Sequence, residues 1–227
     1  RKGLLLLDKK TLYAEPVSLP YDKKSYNNDI SVTLIKKDKY GNLWVASAGN
    51  LYVKEYGKKT WLGLKIPVPP GSFSTYVKAN CIADNMNGWL IGTKEGLYIL
   101  EKKNGQYIFH FASDKNQSSI SDVFPISIKK IWVGYESSGF IIADKDKLID
   151  NQQMYFNQSG IKSFLADEEH NIIWISTLSG LIAYHVPSKN YKIFSEADGL
   201  GNSHVYGALK NNNDLWLSTN RGLSNVI

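Results

Sequence analysis

Cysteine and arginine are nearly absent from this 227-residue chain, which has one cysteine, Cys81, and two arginines, Arg1 and Arg221. A single cysteine excludes disulfides within the chain and any zinc site built from several thiolates. It leaves the redox compartment open, because a cytosolic protein and a periplasmic protein without crosslinks are both compatible with it.

The net charge of +6 therefore comes almost entirely from lysine. Proteins that read bases and phosphates depend on the planar fork of arginine, and the lysines here are scattered in ones and twos. We predict a solvated, lysine-rich surface with no nucleic acid contact by this segment. A mild attraction for an acidic partner is the alternative.

Long hydrophobic runs are also missing. No stretch of about 18 apolar residues occurs, so the sequence predicts no membrane-spanning helix. The opening RKGLLLL stops after four leucines at Asp8, which is too short for the core of a secretory signal, and we interpret it as a strand. Apolar residues still make up 43% of the chain, enough to build a core.

A repeat organises the whole sequence. Five similar segments are NLWVASAGNLYV, GWLIGTKEGLYI, KIWVGYESSGFII, IIWISTLSGLIAY and DLWLSTNRGLSNV. Aligned on Leu43, Trp89, Ile131, Ile173 and Leu215, they follow one another at 46, 42, 42 and 42 residues. Each unit holds four short runs rich in aromatic and β-branched residues, separated by polar turns. This pattern predicts an all-β fold, a β-propeller of four-stranded blades.

The alignment also predicts the blade boundaries. A partial blade covers 1–28, four blades cover about 29–75, 76–118, 119–158 and 159–200, and a second partial blade covers 201–227. Because the first and last segments both align with the third strand of a blade, we expect a partial arc of a larger propeller. A closed five-bladed ring with one strand left over is the alternative. An open arc exposes the faces of its end blades.

The repeated tryptophans are expected to pack rather than to react. A large flat side chain on the second strand fills the space between stacked blades, and the small residues after it let neighbouring sheets approach. In the second blade the tryptophan is shifted by one place and should point to the opposite face of its sheet. The expected structural core residues are Trp44, Trp89, Trp132, Trp174 and Trp216.

The last repeat carries a recognisable motif. Its sequence, FSEADGLGNSHVYGALKNNNDLWLSTNRGLSNV, has an Asp-Gly-Leu turn, an Asn/Ser-x-Val strand, an LWLST strand and a Gly-Leu pair. It resembles the two-component regulator propeller repeat found in the periplasmic sensor region of hybrid histidine kinases of polysaccharide-degrading gut bacteria. Weaker copies cover most of the chain, but the third blade has VGY in place of the small-Thr pair and lacks the Asp-Gly-Leu turn.

The resemblance implies an inner-membrane sensor with two successive periplasmic propellers that lead to a histidine kinase. Such proteins sense oligosaccharides released from a complex glycan, and a homodimer is expected for the full-length protein. No kinase motif lies within these 227 residues, so we expect this segment to be neither an enzyme nor a cofactor-binding protein. The alternatives are a protein-interaction scaffold and, less favoured, a propeller lyase or glycosidase.

The residues themselves indicate no catalytic centre. The four histidines fall at different strand positions without the close pairing that holds a metal ion, and the acidic runs at 167–170 and 196–198 are typical of turns. An enzyme on this fold would need convergent carboxylates or histidines.

Arg221 is the candidate for ligand recognition. It lies in a loop between the second and third strands, and such loops emerge on the same propeller face as the connections between blades, which include 198–204. A guanidinium there can pair through two hydrogen bonds with a carboxylate, as in a uronic acid, or with a sulfate. Pairing with a neighbouring acidic side chain is the ordinary alternative. The candidate ligand-binding residues are Arg221, Asn220, Lys94, Glu95, Ser137, Ser179, Asp198 and His204.

Overall fold

The computed structural model describes residues 3–20, 31–47, 49–112, 119–127, 130–144, 154–156 and 159–226. These residues form β-strands and one three-residue 3-10 turn at Glu196–Asp198. None of the helical structure described is long or apolar enough to cross a bilayer. The chain divides into two compact units, 1–112 and 113–227.

The first unit contains three antiparallel sheets in which consecutive strands are neighbours. A two-stranded sheet pairs β1 (Leu5–Leu7) with β2 (Ala14–Pro16). Two four-stranded sheets follow, made of β3 (Val32–Lys37), β4 (Leu43–Ser47), β5 (Asn50–Lys54) and β6 (Leu62–Lys65), and of β7 (Ala79–Asn85), β8 (Gly88–Thr93), β9 (Gly96–Lys103) and β10 (Gln106–Ala112).

The second unit continues the same pattern. Its sheets are formed by β11 (Ile120–Pro125), β12 (Lys130–Tyr135), β13 (Phe140–Asp144) and β14 (Met154–Tyr155), by β15 (Ile161–Asp167), β16 (Ile172–Thr177), β17 (Gly180–His185) and β18 (Tyr191–Phe194), and by β19 (Val205–Asn211), β20 (Asp214–Thr219) and β21 (Gly222–Val226). The predicted all-β propeller architecture, built from four-stranded antiparallel blades, is confirmed.

The sheets repeat in detail as well as in strand order. In each of the five larger sheets the first strand shifts register once against the second, near its own beginning. Such a bulge adds a residue and sharpens the local twist. The second strands of the first four of these sheets are largely buried, and all six residues of β8 are buried, because an inner blade is covered on both faces.

The first-unit core lies between the β3–β6 and β7–β10 sheets. Trp44 and Trp89 face each other there, with ring centroids 4.8 Å apart. The one-place shift of the second-blade tryptophan thus turns Trp89 toward the preceding sheet. In the second unit, Trp132 is buried and stacks on Phe140 at 4.6 Å.

Trp216 is not a core residue, contrary to the prediction. Its neighbours Leu215 and Leu217 are buried in a cluster that includes the partly exposed Trp174. Because side chains alternate along a strand, Trp216 points to the other face of the β19–β21 sheet, where it is 39% exposed.

Candidate functional site

The loops that carry the candidate ligand residues share one construction. In three blades a threonine at the end of the second strand donates its hydroxyl hydrogen to the carbonyl of a glycine three residues later, at 2.7–2.9 Å. The same hydroxyl oxygen accepts the backbone N–H of the residue just before that glycine. The threonines are Thr93, Thr177 and Thr219. Each hydroxyl therefore holds a tight turn whose two central side chains are free to vary.

In the last blade this turn presents Asn220 and Arg221. The glycine that closes it, Gly222, has φ +103°, a left-handed conformation that glycine adopts without the steric cost of a Cβ. Both central side chains are exposed. The turn thus offers an amide and a guanidinium to solvent on a backbone that is already fixed.

Arg221 has no acidic partner among the described residues. Its guanidinium donates a long hydrogen bond from Nη1 to the carbonyl oxygen of Gly201, at 3.5 Å. Nearby carboxylates are otherwise engaged: Glu196 accepts from Asn202 and from the backbone of Ser203, both at 3.1 Å. The ordinary interpretation, a surface arginine paired with a neighbouring carboxylate, therefore does not describe this loop.

A chain of hydrogen bonds joins the Arg221 turn to the connection that precedes the blade. Tyr206 donates its hydroxyl hydrogen to Oδ1 of Asn220 at 2.5 Å, and Nδ2 of Asn220 lies 2.8 Å from Nδ1 of His204. The amide donates in this pair, so Nδ1 of His204 accepts and the ring carries its hydrogen on Nε2. Three of the predicted residues, Arg221, Asn220 and His204, are therefore brought together with Tyr206, which the sequence did not single out.

Asp198 belongs to the same connection but has a structural task. It closes the 3-10 turn by accepting the backbone N–H of Ser195 at 3.0 Å and the Ser195 hydroxyl at 3.1 Å. These hydrogen bonds, led by the backbone one, lower the pKa of Asp198. Its carboxylate shapes the loop that faces the Arg221 turn.

The remaining candidates lie in separate turns. Lys94 and Glu95 occupy the β8–β9 turn of the first unit, where Lys94 is exposed and Glu95 accepts the hydroxyl of Ser74 at 2.7 Å. Ser137 and Ser179 are exposed in the β12–β13 and β16–β17 turns of the second unit. The part of these four side chains in a common site with Arg221 stays a prediction.

At the other end of the strands the structure contains a buried carboxylate that the sequence did not single out. Oδ2 of Asp38 accepts hydrogen bonds from the indole nitrogens of Trp44, at 2.8 Å, and Trp89, at 2.9 Å. Burial alone would raise the pKa of Asp38, but these bonds and those from Asn42 outweigh it and the pKa is lowered. The signal available in the sequence was the short segment DKYGNLW, which places an aspartate six residues before the tryptophan.

A second buried carboxylate, Asp167, lies in the corresponding hairpin of the fourth blade. Together with Glu169 and His170 it forms the single His/carboxylate group among the described residues whose ligand atoms lie within 4.8 Å of one another. Nζ of Lys210 lies 2.5 Å from Asp167 Oδ1 and 3.2 Å from Glu169 Oε2. The lysine ammonium thus holds the place of a cation, and the cluster is an ion-pair network between blades.

No protein family model matches the sequence. Among curated proteins the chain is similar to Histidine kinase P4 of Formosa agariphila, with 27% identity over 208 residues. The aligned region covers 86% of this chain and 15% of that protein.

Solved structures with the same fold include extracellular domains of signalling proteins. The chain is similar to the extracellular domain of a hybrid two-component system of B. thetaiotaomicron, with a TM-score of 0.73, 20% identity, and coverage of 94% of this chain and 29% of that one. It is also similar to the extracellular domain of a one-component system of the same organism, with a TM-score of 0.68, 17% identity, and coverage of 99% and 30%.

A third similar structure is PorZ, a surface component of the type-IX secretion system of Porphyromonas gingivalis, with a TM-score of 0.68, 13% identity, and coverage of 98% and 35%. The resemblance to the propellers of two-component sensors is confirmed. The chain spans less than a third of the length of the histidine kinase and of the two B. thetaiotaomicron domains that it matches.

Proposed function

We propose that this chain is a ligand-sensing propeller segment of a periplasmic sensor, and that it recognises an acidic, glycan-derived oligosaccharide through the cluster formed by Arg221, Asn220, His204 and Tyr206. The signal would pass to a histidine kinase outside this chain. The similarity to extracellular domains of hybrid two-component systems supports a sensory role.

The observation that carries the proposal is the unpaired guanidinium on a fixed turn. Arg221 has no ion pair among the described residues, whereas its backbone is held by Thr219 at 3.2 Å and the adjacent amide by Tyr206 and His204. A ligand that meets a preformed site loses little affinity to ordering it. The planar guanidinium suits a carboxylate or a sulfate, to which it can donate two parallel hydrogen bonds.

The test measures binding of oligogalacturonides and sulfated oligosaccharides to the full ectodomain by thermal shift and calorimetry, with neutral maltooligosaccharides as controls. A ligand that binds only the folded state raises the melting temperature. Arg221→Lys keeps the charge but loses the two-pronged geometry, so it should weaken binding by about 1.5–3 kcal/mol. Lys59→Ala, which removes an exposed cation from the β5–β6 loop, should leave binding unchanged.

Unchanged affinity after Arg221→Ala would contradict the proposed site. Unchanged melting temperatures with all three classes of oligosaccharide would contradict a glycan ligand. A stability loss is not the expected cause of weaker binding, because a single exposed contact contributes at most about 1 kcal/mol.

An interaction scaffold is the second candidate, and one observation favours it. Leu209, Trp216 and Leu223 share a face of the β19–β21 sheet and are 63%, 39% and 75% exposed. Contiguous exposed apolar side chains commonly mark a protein interface. If this face binds protein, Leu209→Ser with Leu223→Ser should abolish the association in analytical ultracentrifugation and leave oligosaccharide binding intact.

A further inference from the structure

A pocket of about 510 Å³ opens between the β15–β18 and β19–β21 sheets of the second unit. Trp174, Leu215 and Val226 form part of its apolar wall, and Asp167 and Lys210 are among its polar lining residues. Its volume falls within the range of about 300–1,000 Å³ that is usual for small-molecule sites. The pocket lies near the β19–β20 hairpin, at the opposite end of β20 from the Arg221 turn.

Strand register shows that the same place exists between the β3–β6 and β7–β10 sheets of the first unit. Trp44 pairs with Lys36, two residues before Asp38, and Trp174 pairs with Leu165, two residues before Asp167. The two tryptophan–aspartate pairs therefore occupy equivalent positions in their blades.

The two tryptophan–aspartate pairs are faced by different residues from the next sheet. On the following sheet, Trp89 pairs with Asp84 and with Leu100, whereas the equivalent Leu215 pairs with Lys210 and with Val226. Leu215 thus stands where the earlier blade has a tryptophan.

In the first unit this place is filled. The ring of Trp89 lies 4.8 Å from that of Trp44, and its N–H reaches Oδ2 of Asp38 at 2.9 Å. In the second unit the shorter Leu215 leaves the wall of Trp174 partly exposed, and the pocket lies there. The equivalent place in the first unit therefore indicates that an indole ring fits this site.

In the second unit, the carboxylate of Asp167 can still accept a further hydrogen bond. Oδ1 of Asp167 contacts Lys210 at 2.5 Å, and both oxygens lie 3.0–3.1 Å from Nδ1 of His170. A carboxylate offers about four lone-pair sites. Asp38 accepts five hydrogen bonds in the first unit, three of them on Oδ2.

We propose that the pocket beside Trp174 binds an indole-type ring, a planar aromatic group with an N–H donor, which packs against Trp174 and donates to Asp167. Aromatic pairs gain free energy beyond the area they bury, and a hydrogen bond to a charged acceptor is stronger than one between neutral groups. The ring can belong to a free small molecule or to a tryptophan side chain of a polypeptide. This site is independent of the Arg221 cluster.

Binding is tested on the purified protein with two probes, by ligand-observed NMR and calorimetry. Indole represents a free molecule, and N-acetyltryptophanamide represents a tryptophan side chain. A ligand of this size should bind with a dissociation constant on the order of 1 mM. Trp174→Leu should weaken binding at least about tenfold, whereas Trp216→Leu, a change of the same kind on the other face of the β19–β21 sheet, should not. Binding of either probe supports the proposal, the tighter of the two indicates the source, and binding of neither overturns it.

A second test needs no ligand. Leu215→Trp places an indole where the first unit has Trp89, so it should raise the melting temperature by about 2–8 °C and abolish probe binding. Leu217→Trp is the matched control, since Leu217 lies two residues further along the same strand and is fully buried, and it should lower the melting temperature. Leu215→Phe supplies a ring without an N–H and should give a smaller rise.

The outcomes separate the two parts of the proposal. A melting temperature that falls in Leu215→Trp overturns the shape of the site. Equal rises in Leu215→Trp and Leu215→Phe overturn the hydrogen bond to Asp167.

Discussion

Trp89 donates its indole N–H to Oδ2 of Asp38 at 2.9 Å, and the bond joins two neighbouring sheets across 51 residues of sequence. The same oxygen accepts the indole of Trp44, whose ring lies 4.8 Å from that of Trp89. The carboxylate thus holds two tryptophans that face each other from adjacent blades. Their packing and their hydrogen bonds stabilise the same contact.

We expect Trp89→Phe to destabilise the protein chiefly through the lost donor. The ring remains, but a hydrogen bond to a charged acceptor disappears, which should cost about 1.5–3 kcal/mol in the free energy of unfolding. Urea denaturation measures the change. Trp89→Phe in an Asp38→Asn background should cost clearly less, because the acceptor is then neutral; equal costs in both backgrounds would show that the bond contributes nothing.

The pH dependence of stability should carry the signature of Asp38. Its pKa is lowered in the folded state, so its contribution is present above the unfolded pKa of about 3.9 and is lost as the pH falls through the folded value. Asp84 opposes it, because burial and the charge of Asp38 raise the pKa of Asp84. We therefore expect Asp38→Asn to flatten the loss of stability below about pH 4. Denaturant titrations between pH 2.5 and 7 provide the measurement, and a pH profile parallel to that of the original protein would rule out the assigned role.

Replacing the two tryptophans Trp44 and Trp216, which occupy equivalent repeat positions, should lower the free energy of unfolding by very different amounts. Trp44 is fully buried, and Trp44→Ala should cost about 3–5 kcal/mol because it removes a large ring from a packed core. Trp216 is 39% exposed, and Trp216→Ala should cost no more than about 1 kcal/mol. Thermal or urea unfolding of both variants compares them directly. A large loss in Trp216→Ala would mean that its face is covered in solution.

Lys210 should link the fourth and fifth blades within a limited pH range. The hydrogen bond to Asp167 raises the pKa of Lys210. Burial alone would raise the pKa of Asp167, but the hydrogen bonds from Lys210 and His170 outweigh burial, and the pKa of Asp167 is lowered. The bridge is therefore intact above the unfolded pKa of Asp167 and is lost as the pH rises through the folded pKa of Lys210. Lys210→Met should lower the free energy of unfolding at pH 7, because Asp167 is buried and loses a charged partner.

The cost of Lys210→Met is read from unfolding curves at pH 3 and pH 7. It should be smaller at pH 3, which lies below the unfolded pKa of about 3.9, because the contribution of the ionised carboxylate is lost as the pH falls toward the lowered folded pKa of Asp167. Lys59→Met, a change on an exposed loop, is the control for altered surface charge. An equal cost at both pH values would exclude the ion pair as its source.

The sequence by itself determined the strands, their order within each blade and the turn chemistry. These features are local: alternation of apolar residues, a threonine three residues before a glycine, and a constant repeat length are all read within about 42 residues. Arg221 was also identified in this way, because its position in a tight turn follows from the repeat.

Only the tertiary structure decided which equivalent positions of the repeat have the same burial and the same contacts. Trp44 and Trp216 have the same phase in the repeat, yet one is buried against a neighbouring sheet and the other is exposed. The bond from Trp89 to Asp38, the ion pair between Lys210 and Asp167, and the pocket beside Leu215 all depend on side chains from different blades. Contacts of this kind form only when two sheets stack, so their energy depends on which residue faces which, and a one-dimensional pattern does not contain that information.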